Sequence, residues 1–144
     1  MLFKSIYPYT QEIIAEYVLM DDDGINQRLR IAEKAFAAWK EKPFEARAKV
    51  FTQAAVILKR DKEKLAVLIT REMGKIITEA VAEVEKCAYV CEYYAEHAAT
   101  FLQDETLVAG YGKSFVSYEP IGAVLGIMPW NFPFWQVFRY AAPP

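Results

Sequence analysis

The chain has 144 residues, of which 54% are hydrophobic, 25% are charged and 15% are aromatic, and its formal net charge is -2. This length suits one modest domain and is too short for a nucleotide domain joined to a catalytic domain. The small net charge gives no electrostatic reason to expect a nucleic-acid partner or an anionic membrane surface.

The hydrophobic pattern points to a soluble protein with no membrane association. No apolar run approaches the ~20 residues of a membrane span. The N-terminal residues lack the basic start and long apolar core of a secretion signal. Only two cysteines are present, which suits a reducing compartment. A cytoplasmic location is therefore expected.

The first part of the chain predicts a hairpin followed by a helix. Residues 3–19 carry Ile, Tyr and Val around a polar break, which is typical of a β-hairpin or an extended arm. The aspartates from Asp21 onward provide capping oxygens for a helix start, and Pro43 ends that helix and suits the first turn of the next. Spacings of three and four residues predict one apolar stripe on the first helix. The stripe consists of Ile25, Leu29, Ala32, Phe36 and Trp39.

Three more helices are predicted. The second repeats the apolar pattern as far as Leu58, and the third starts at Asp61 and ends at Gly74 as a C-terminal cap. The fourth covers roughly residues 75–101. Its predicted buried residues are Ile77, Ala80, Val84, Cys87, Cys91, Tyr94 and Ala98. Cys87 and Cys91 share a helix face; half of a metal site is the alternative, but two thiols without further ligands favour packing, and no metal is predicted.

The pattern changes after residue 101. Residues 106–109 and 113–119 are β-rich runs around Gly110-Tyr111-Gly112, which predicts a hairpin. Residues 122–128 form a short continuous apolar run, typical of a strand buried on both faces of a parallel sheet whose other strands would follow. Residues 134–142 have a helical pattern. The chain is thus predicted to be mostly α-helical, with a β-hairpin and one buried-type strand.

Three motifs occur in an order and spacing that resemble the NAD(P)-dependent aldehyde dehydrogenases. They are Pro129-Trp130-Asn131-Phe132-Pro133; Glu72-Met73-Gly74-Lys75 with Glu79-Ala80 and Glu83-Val84; and Tyr118-Glu119-Pro120-Ile121-Gly122. In the family, a strand leads into the first of these motifs and a helix follows it. The similarity runs over about residues 25–142 and is closest to the succinate-semialdehyde dehydrogenases.

The resemblance implies an α/β family fold of Rossmann type. Residues 1–144 would be the N-terminal part of the cofactor-binding domain, and residues 106–119 resemble the arm that bridges subunits, so a homodimer or homotetramer is expected. The implied activity is oxidation of a small carboxylated aldehyde, succinate semialdehyde to succinate, with NAD or NADP. The nucleophilic cysteine, glutamate base, cofactor loop and ribose-binding lysine of the family have no match here. The catalytic domain is therefore expected to be absent and the isolated chain inactive.

Asn131 is the candidate catalytic residue. Prolines at 129 and 133 restrict the loop, and a carboxamide offers two N–H donors without titrating near neutral pH. An asparagine at this position in the family holds the oxyanion formed when a cysteine thiolate attacks the aldehyde, and that role is carried onto Asn131. The alternative is an asparagine that only caps the start of a helix.

The residues just before Asn131 are candidates for cofactor binding. Ile127, Met128, Pro129 and Trp130 lie at the C-terminal end of the predicted strand, where ligands of open α/β sheets bind. By family likeness they line the nicotinamide-ribose side of the cofactor. Simple core packing is the alternative for Ile127 and Met128.

Arg139 is the candidate for substrate recognition. It is the sole cation in an aromatic run, and a guanidinium buried there would need an anion. In succinate-semialdehyde dehydrogenases an arginine eight positions after the oxyanion asparagine grips the substrate carboxylate, and Arg139 lies eight after Asn131. Phe132 and Gln136 are expected as substrate neighbours.

Two other functions compete with this one. If Arg139 pairs with a structural carboxylate, the enzyme would act on uncharged aldehydes. If the aromatic C-terminal run is an exposed patch, the chain would be a non-catalytic helical module for protein association.

Overall fold

The computed structural model describes residues 2–108, 110 and 112–143. Within these ranges the chain forms two β-hairpins and five helices. In chain order they are β1 (Leu2–Ile6), β2 (Ile13–Val18), α1 (Asp22–Lys40), α2 (Phe44–Arg60), α3 (Lys62–Met73), α4 (Ile77–Phe101), β3 (Glu105–Leu107), β4 (Ser114–Val116) and α5 (Trp135–Ala141). The prediction of a mostly helical chain with a hairpin is confirmed. Among the described residues, no helix is long and apolar enough to cross a lipid bilayer.

The first hairpin is attached to the end of α3. Strands β1 and β2 pair antiparallel, with Phe3 opposite Tyr17, and the register shifts at the turn end of β1. The Ser5 hydroxyl donates a hydrogen bond of 2.6 Å to a carboxylate oxygen of Glu72. The Arg71 guanidinium lies 5.9 Å from the ring centroid of Tyr7. The predicted arm is therefore a hairpin with a defined contact surface.

Three helix boundaries follow the local signals in the sequence. Asp21 caps α1, since its side-chain oxygen accepts a hydrogen bond of 2.8 Å from the Gly24 N–H. Helix α2 begins directly after Pro43. Helix α3 ends at Gly74, whose φ of 75° lies in the left-handed region that glycine adopts without steric cost. The predictions for Asp21 and Gly74 are confirmed, and Pro43 separates the two helices as predicted but precedes the first turn of α2 instead of lying in it.

Helix α4 is the centre of the hydrophobic core. It packs against α2, α3 and α5, and its buried face is made of small side chains that let the neighbouring helices approach closely. The buried apolar residues are Ala55 and Leu58 of α2, Ala66 and Ile69 of α3, Ala80, Val84, Cys87, Ala88 and Cys91 of α4, and Ala142.

The predicted apolar stripes are only partly buried. On α4, Tyr94 and Ala98 are half-buried, while Ile77 is exposed because it lies in the first turn, beyond the core. On α1, Ile25 and Leu29 are exposed. The half-buried residues of this stripe lie in the second half of the helix and are Ala32, Phe36 and Trp39. Periodicity thus identified the correct faces but not how far along each helix its partner extends.

The second hairpin is also present. Strands β3 and β4 pair antiparallel, with Thr106 opposite Phe115. Their ladder is three residues long on each side, shorter than the predicted runs. Ala109 and Tyr111, which the prediction includes, lie outside the described residues.

The buried strand predicted over residues 122–128 is not formed. Residues 121–129 have no regular secondary structure, and Leu125 and Ile127 are 86% and 88% exposed. A strand requires hydrogen-bonding partners on a neighbouring strand. Neither of the two described sheets includes this segment, so the prediction of a buried-type strand within this chain is wrong.

The core predicts a specific loss of stability for Ile69→Ala. Ile69 is 1% exposed, so removing three carbon atoms leaves a cavity and should lower the free energy of unfolding by about 2–5 kcal/mol. Urea denaturation followed by circular dichroism measures the change. The matched control is Val67→Ala on the same helix, where the side chain is 50% exposed. Its expected change is within about 0.5 kcal/mol, and equal losses for the two variants would contradict the described core.

Candidate functional site

The segment of residues 129–133, called the proline loop below, leads directly into α5. Its chain turns through Trp130 and Asn131, and the Gln136 N–H donates a hydrogen bond of 3.0 Å to the carbonyl of Phe132. The extended segment before it lies close to α5 as well. A Cβ atom added at Gly126 would meet the Tyr140 ring at 2.9 Å, so glycine permits this approach.

A buried carboxylate of α4 caps the start of α5. The backbone N–H groups of Phe134 and Trp135 both donate to Oε1 of Glu83, each at 3.0 Å. The side chain of Glu83 is 2% exposed, and Phe134, the residue in the capping position, provides no side-chain cap of its own. The first N–H groups of a helix have no partner within that helix, and a negative charge there also favours the helix dipole. Glu83 meets both needs from another helix.

Lys75 completes this arrangement. Its ammonium group forms an ion pair with Oε2 of Glu83, and its side chain is 6% exposed. The same nitrogen lies 3.6 Å from the ring centroid of Phe132, within range of a cation–π interaction. Lys75 therefore contacts both the carboxylate and the proline loop.

Lys75 and Glu83 belong to one of the three motifs that resemble the family, and no role was predicted for either residue. One signal was available. Glu83 lies three residues after Ala80 and four before Cys87, on the apolar stripe of α4, and a carboxylate in that position is rarely buried without a partner. The identity of the partner depends on the fold, because Phe134 is 51 residues away.

Asn131 lies in the proline loop with an exposed side chain. Its carboxamide makes no hydrogen bond to any residue that the structure describes. Glu83, not Asn131, supplies the acceptor at the start of α5. The alternative of an asparagine that caps this helix is therefore not observed.

The predicted cofactor residues form an exposed apolar surface. Ile127 and Trp130 are 88% and 74% exposed, Pro129 is exposed and Met128 is half-buried. Trp130, with Pro133 and Phe134, borders a cleft of about 370 Å³ against α3 and the first hairpin. The residues of this cleft that precede the loop are Tyr17, Leu68, Ile69, Glu72 and Met73. Asn131 does not line it.

The predicted substrate residues differ in position and in exposure: Phe132 lies in the proline loop, and Gln136 and Arg139 lie on α5. Arg139 is exposed on α5, and it forms no salt bridge with any described residue. Because α5 turns Arg139 away from the core that Phe134, Trp135 and Phe138 contact, its guanidinium needs no buried anion within the described residues. Gln136 is half-buried, and the ring of Phe132 is in cation–π contact with the Lys75 ammonium. The described residues do not bring these three side chains into one enclosed pocket with Asn131.

Cys87 and Cys91 are free thiols packed in the core, which confirms the packing interpretation. Burial, together with the negative charge of Glu83 and the neighbouring Cys91, raises the pKa of the Cys87 thiol to about 12. Burial and the charge of Glu92 raise the pKa of Cys91 to about 11. A thiol must ionise to act as a nucleophile, so neither group is suited to attack a substrate. No cluster positioned to hold a metal ion occurs among the described residues.

The chain belongs to the aldehyde dehydrogenase family, whose sequence profile matches residues 1–144. A Synechocystis protein named "Probable succinate-semialdehyde dehydrogenase", with NADP(+) in its name, is 41% identical over 143 residues. The match covers 99% of this chain and 32% of that protein. A succinate semialdehyde dehydrogenase of Escherichia coli, named for NAD(P)+, is 40% identical over 139 residues, which are 96% of this chain and 30% of its own length.

The fold agrees with solved structures of the family. The crystal structure of succinic semialdehyde dehydrogenase from Streptococcus pyogenes in complex with NADP+ superposes with a TM-score of 0.92 at 36% identity. It covers 97% of this chain and 31% of that chain. A betaine aldehyde dehydrogenase from Staphylococcus aureus, in complex with NAD+, gives a TM-score of 0.89 at 28% identity over 98% of this chain and 29% of its own. The chain thus spans about a third of the length of the relatives it matches.

The core position of the thiols predicts slow alkylation. At pH 8 an ordinary thiol is about one-tenth ionised, whereas a pKa of about 12 leaves Cys87 about a thousandfold less thiolate, and a pKa of about 11 leaves Cys91 about a hundredfold less. Native chain treated with iodoacetamide should therefore show little mass increase, and unfolding in guanidinium should make both thiols reactive. Rapid double labelling of the folded chain would contradict the described burial.

Proposed function

We propose that the protein containing this chain oxidises an aldehyde to a carboxylic acid with NAD or NADP, and that its substrate is succinate semialdehyde, which becomes succinate. Family membership supports the reaction class. The names of the Synechocystis, E. coli and S. pyogenes relatives support the substrate and the cofactor. Because the chain spans about a third of their length, the activity belongs to a longer polypeptide that carries these residues.

We propose that residues 1–144 are the N-terminal part of the cofactor-binding domain. The apolar surface of Ile127, Met128, Pro129 and Trp130 fits one wall of a nicotinamide-ribose site, since all four directly precede Asn131 and three of them are exposed. The nicotinamide accepts a hydride when bound. These residues contribute contact area and exclude water beside Asn131.

The second hairpin is proposed as an arm between subunits of a homodimer or homotetramer. Support comes from its exposure: most side chains of β3 and β4 face solvent, and each strand is an uncovered edge of a two-stranded sheet. Such edges are commonly covered by another chain. The cytoplasm is proposed as the location, because the two thiols, one helical turn apart, remain free.

The free carboxamide of Asn131 is the observation that carries the proposed chemistry. When a nucleophile adds to an aldehyde carbon, negative charge collects on the former carbonyl oxygen. A neutral, directed N–H donor stabilises that oxygen without losing a proton. Asn131 has two such donors, neither of which is used by a described residue, and the prolines on either side restrict the loop that carries it. Neither of the two buried cysteines of this chain is the attacking group.

Asn131→Ala is expected to lower kcat of the enzyme that carries this chain by about 10²–10³, the usual cost of removing one oxyanion donor. KM should change little, because the interaction strengthens only as charge develops on the oxygen. Steady-state kinetics with succinate semialdehyde measure both constants. Asn26→Ala, on the exposed side of α1, is the control and should keep the parental kcat. A kcat of Asn131→Ala within twofold of the parent would refute the oxyanion role.

Arg139→Ala distinguishes a carboxylated substrate from an uncharged one. A charge-assisted bond to the substrate carboxylate contributes ~1.5–3 kcal/mol, so KM for succinate semialdehyde should rise about 10–100-fold. KM for butanal, which has the same carbon chain without a carboxylate, should stay within about threefold. Arg139 forms no ion pair with a described residue, so loss of structure should be small. Equal changes for both aldehydes would favour the alternative function, oxidation of uncharged aldehydes.

A further inference from the structure

We propose that Glu83 and Lys75 are positioning residues that set the location and direction of the Asn131 carboxamide. This inference rests on the proposed oxyanion role of Asn131. It concerns a pair of charges in the core, on and just before α4, that the chemistry itself does not use.

The pair holds the chain immediately after Asn131 at three points. Phe132 is contacted through its ring by the Lys75 ammonium, at 3.6 Å from the centroid. Phe134 and Trp135 each donate a backbone N–H to Glu83 at 3.0 Å. Three of the four residues that follow Asn131 are thus held by two side chains.

Phe134, Trp135 and Phe138 also pack against the core, but apolar packing is less directional than a hydrogen bond. Helix α5 has seven residues, about two turns, and a helix this short is not stable by itself. Residues 121–129 on the other side have no regular structure. Among the described contacts, the Glu83 carboxylate therefore provides the hydrogen bonds that join the start of α5, directly after the proline loop, to the helical core. A shift of this loop moves Asn131 with it, and misplacement by about 1 Å is enough to cost ~10²-fold in rate.

The two charges also depend on each other. A buried carboxylate or ammonium left alone is strongly unfavourable, whereas removing both charges together is often tolerated. The Glu83 carboxylate accepts both N–H bonds at one oxygen, while its other oxygen pairs with the Lys75 ammonium. Glutamine at position 83 retains a carbonyl oxygen for the two N–H groups. Methionine at position 75 retains an apolar chain over Phe132.

The experiment compares Glu83→Ala in two backgrounds of the enzyme that carries this chain, one with Asn131 and one with Asn131→Ala. If Glu83 acts through Asn131, its loss lowers kcat about 10–100-fold in the first background and less than about twofold in the second, with KM within about threefold in both. The Lys75→Met/Glu83→Gln double variant should recover kcat to within about fivefold of the parent. Glu79→Ala, an exposed glutamate one turn earlier on α4, is the control.

Three kinetic outcomes are separated by this design. The same fold-loss from Glu83→Ala in both backgrounds means a structural role only and overturns the proposal. An unchanged kcat for Glu83→Ala, with a large loss for Asn131→Ala, overturns the positioning role and leaves the oxyanion role standing. An unchanged kcat for Asn131→Ala means instead that the proposed function of Asn131 has failed.

Amide hydrogen exchange gives a readout that does not depend on activity. If Glu83→Ala fails to fold, Lys75→Met/Glu83→Leu replaces it in both assays, because this double variant removes the acceptor and the otherwise unpaired lysine charge together. In the alanine variant, exchange at Phe134 and Trp135 should become at least tenfold faster while the Leu58 amide in the core of α2 keeps its protection. In Glu83→Gln/Lys75→Met these two amides should stay protected. Acceleration across α2 and α4 alike, or none at Phe134 and Trp135, would overturn the proposal.

Discussion

The Glu83 carboxylate is the contact on which the arrangement of this site depends. It lies inside the core, where a charge is costly, and it is stabilised on every side that the structure describes: by the Lys75 ammonium at one oxygen and by two backbone N–H groups at the other. Those N–H groups belong to the start of α5. One buried side chain therefore joins the central helix, a lysine that precedes it, and the loop that carries Asn131.

The core around this carboxylate is built from small side chains. Alanines and cysteines line the inner face of α4, which lets α2 and α3 pack closely on it and leaves little space for water. The thiols act there as small apolar groups. Glu83 also affects them electrostatically, because its negative charge adds to burial in raising the pKa of Cys87. The same carboxylate that orders the loop thus helps to keep the nearest thiol in its unreactive form.

The surface formed by residues shortly before Asn131 is, in contrast, apolar and exposed. Leu125, Ile127 and Trp130 are apolar and largely exposed, although the fold of this chain matches the S. pyogenes enzyme over nearly all of its length. That enzyme is about three times longer, and this chain spans 31% of it. An apolar run indicates that a segment is suited to burial, but it does not show which segment covers it. This distinction explains why the strand predicted over residues 122–128 is absent here even though the family assignment is confirmed.

Local chemistry determined much of the structure in advance. The Asp21 cap, the break at Pro43 and the left-handed turn at Gly74 each depend on residues within a few positions of one another, and each was predictable from the sequence. The motif around Asn131 likewise identified the family. Only the tertiary structure decided that Ile77 and Arg139 face solvent. It alone revealed that Glu83 meets a helix start 51 residues away. The reason is that caps and turns are set by interactions along the chain, whereas burial and charge pairing are set by what the folded chain brings alongside.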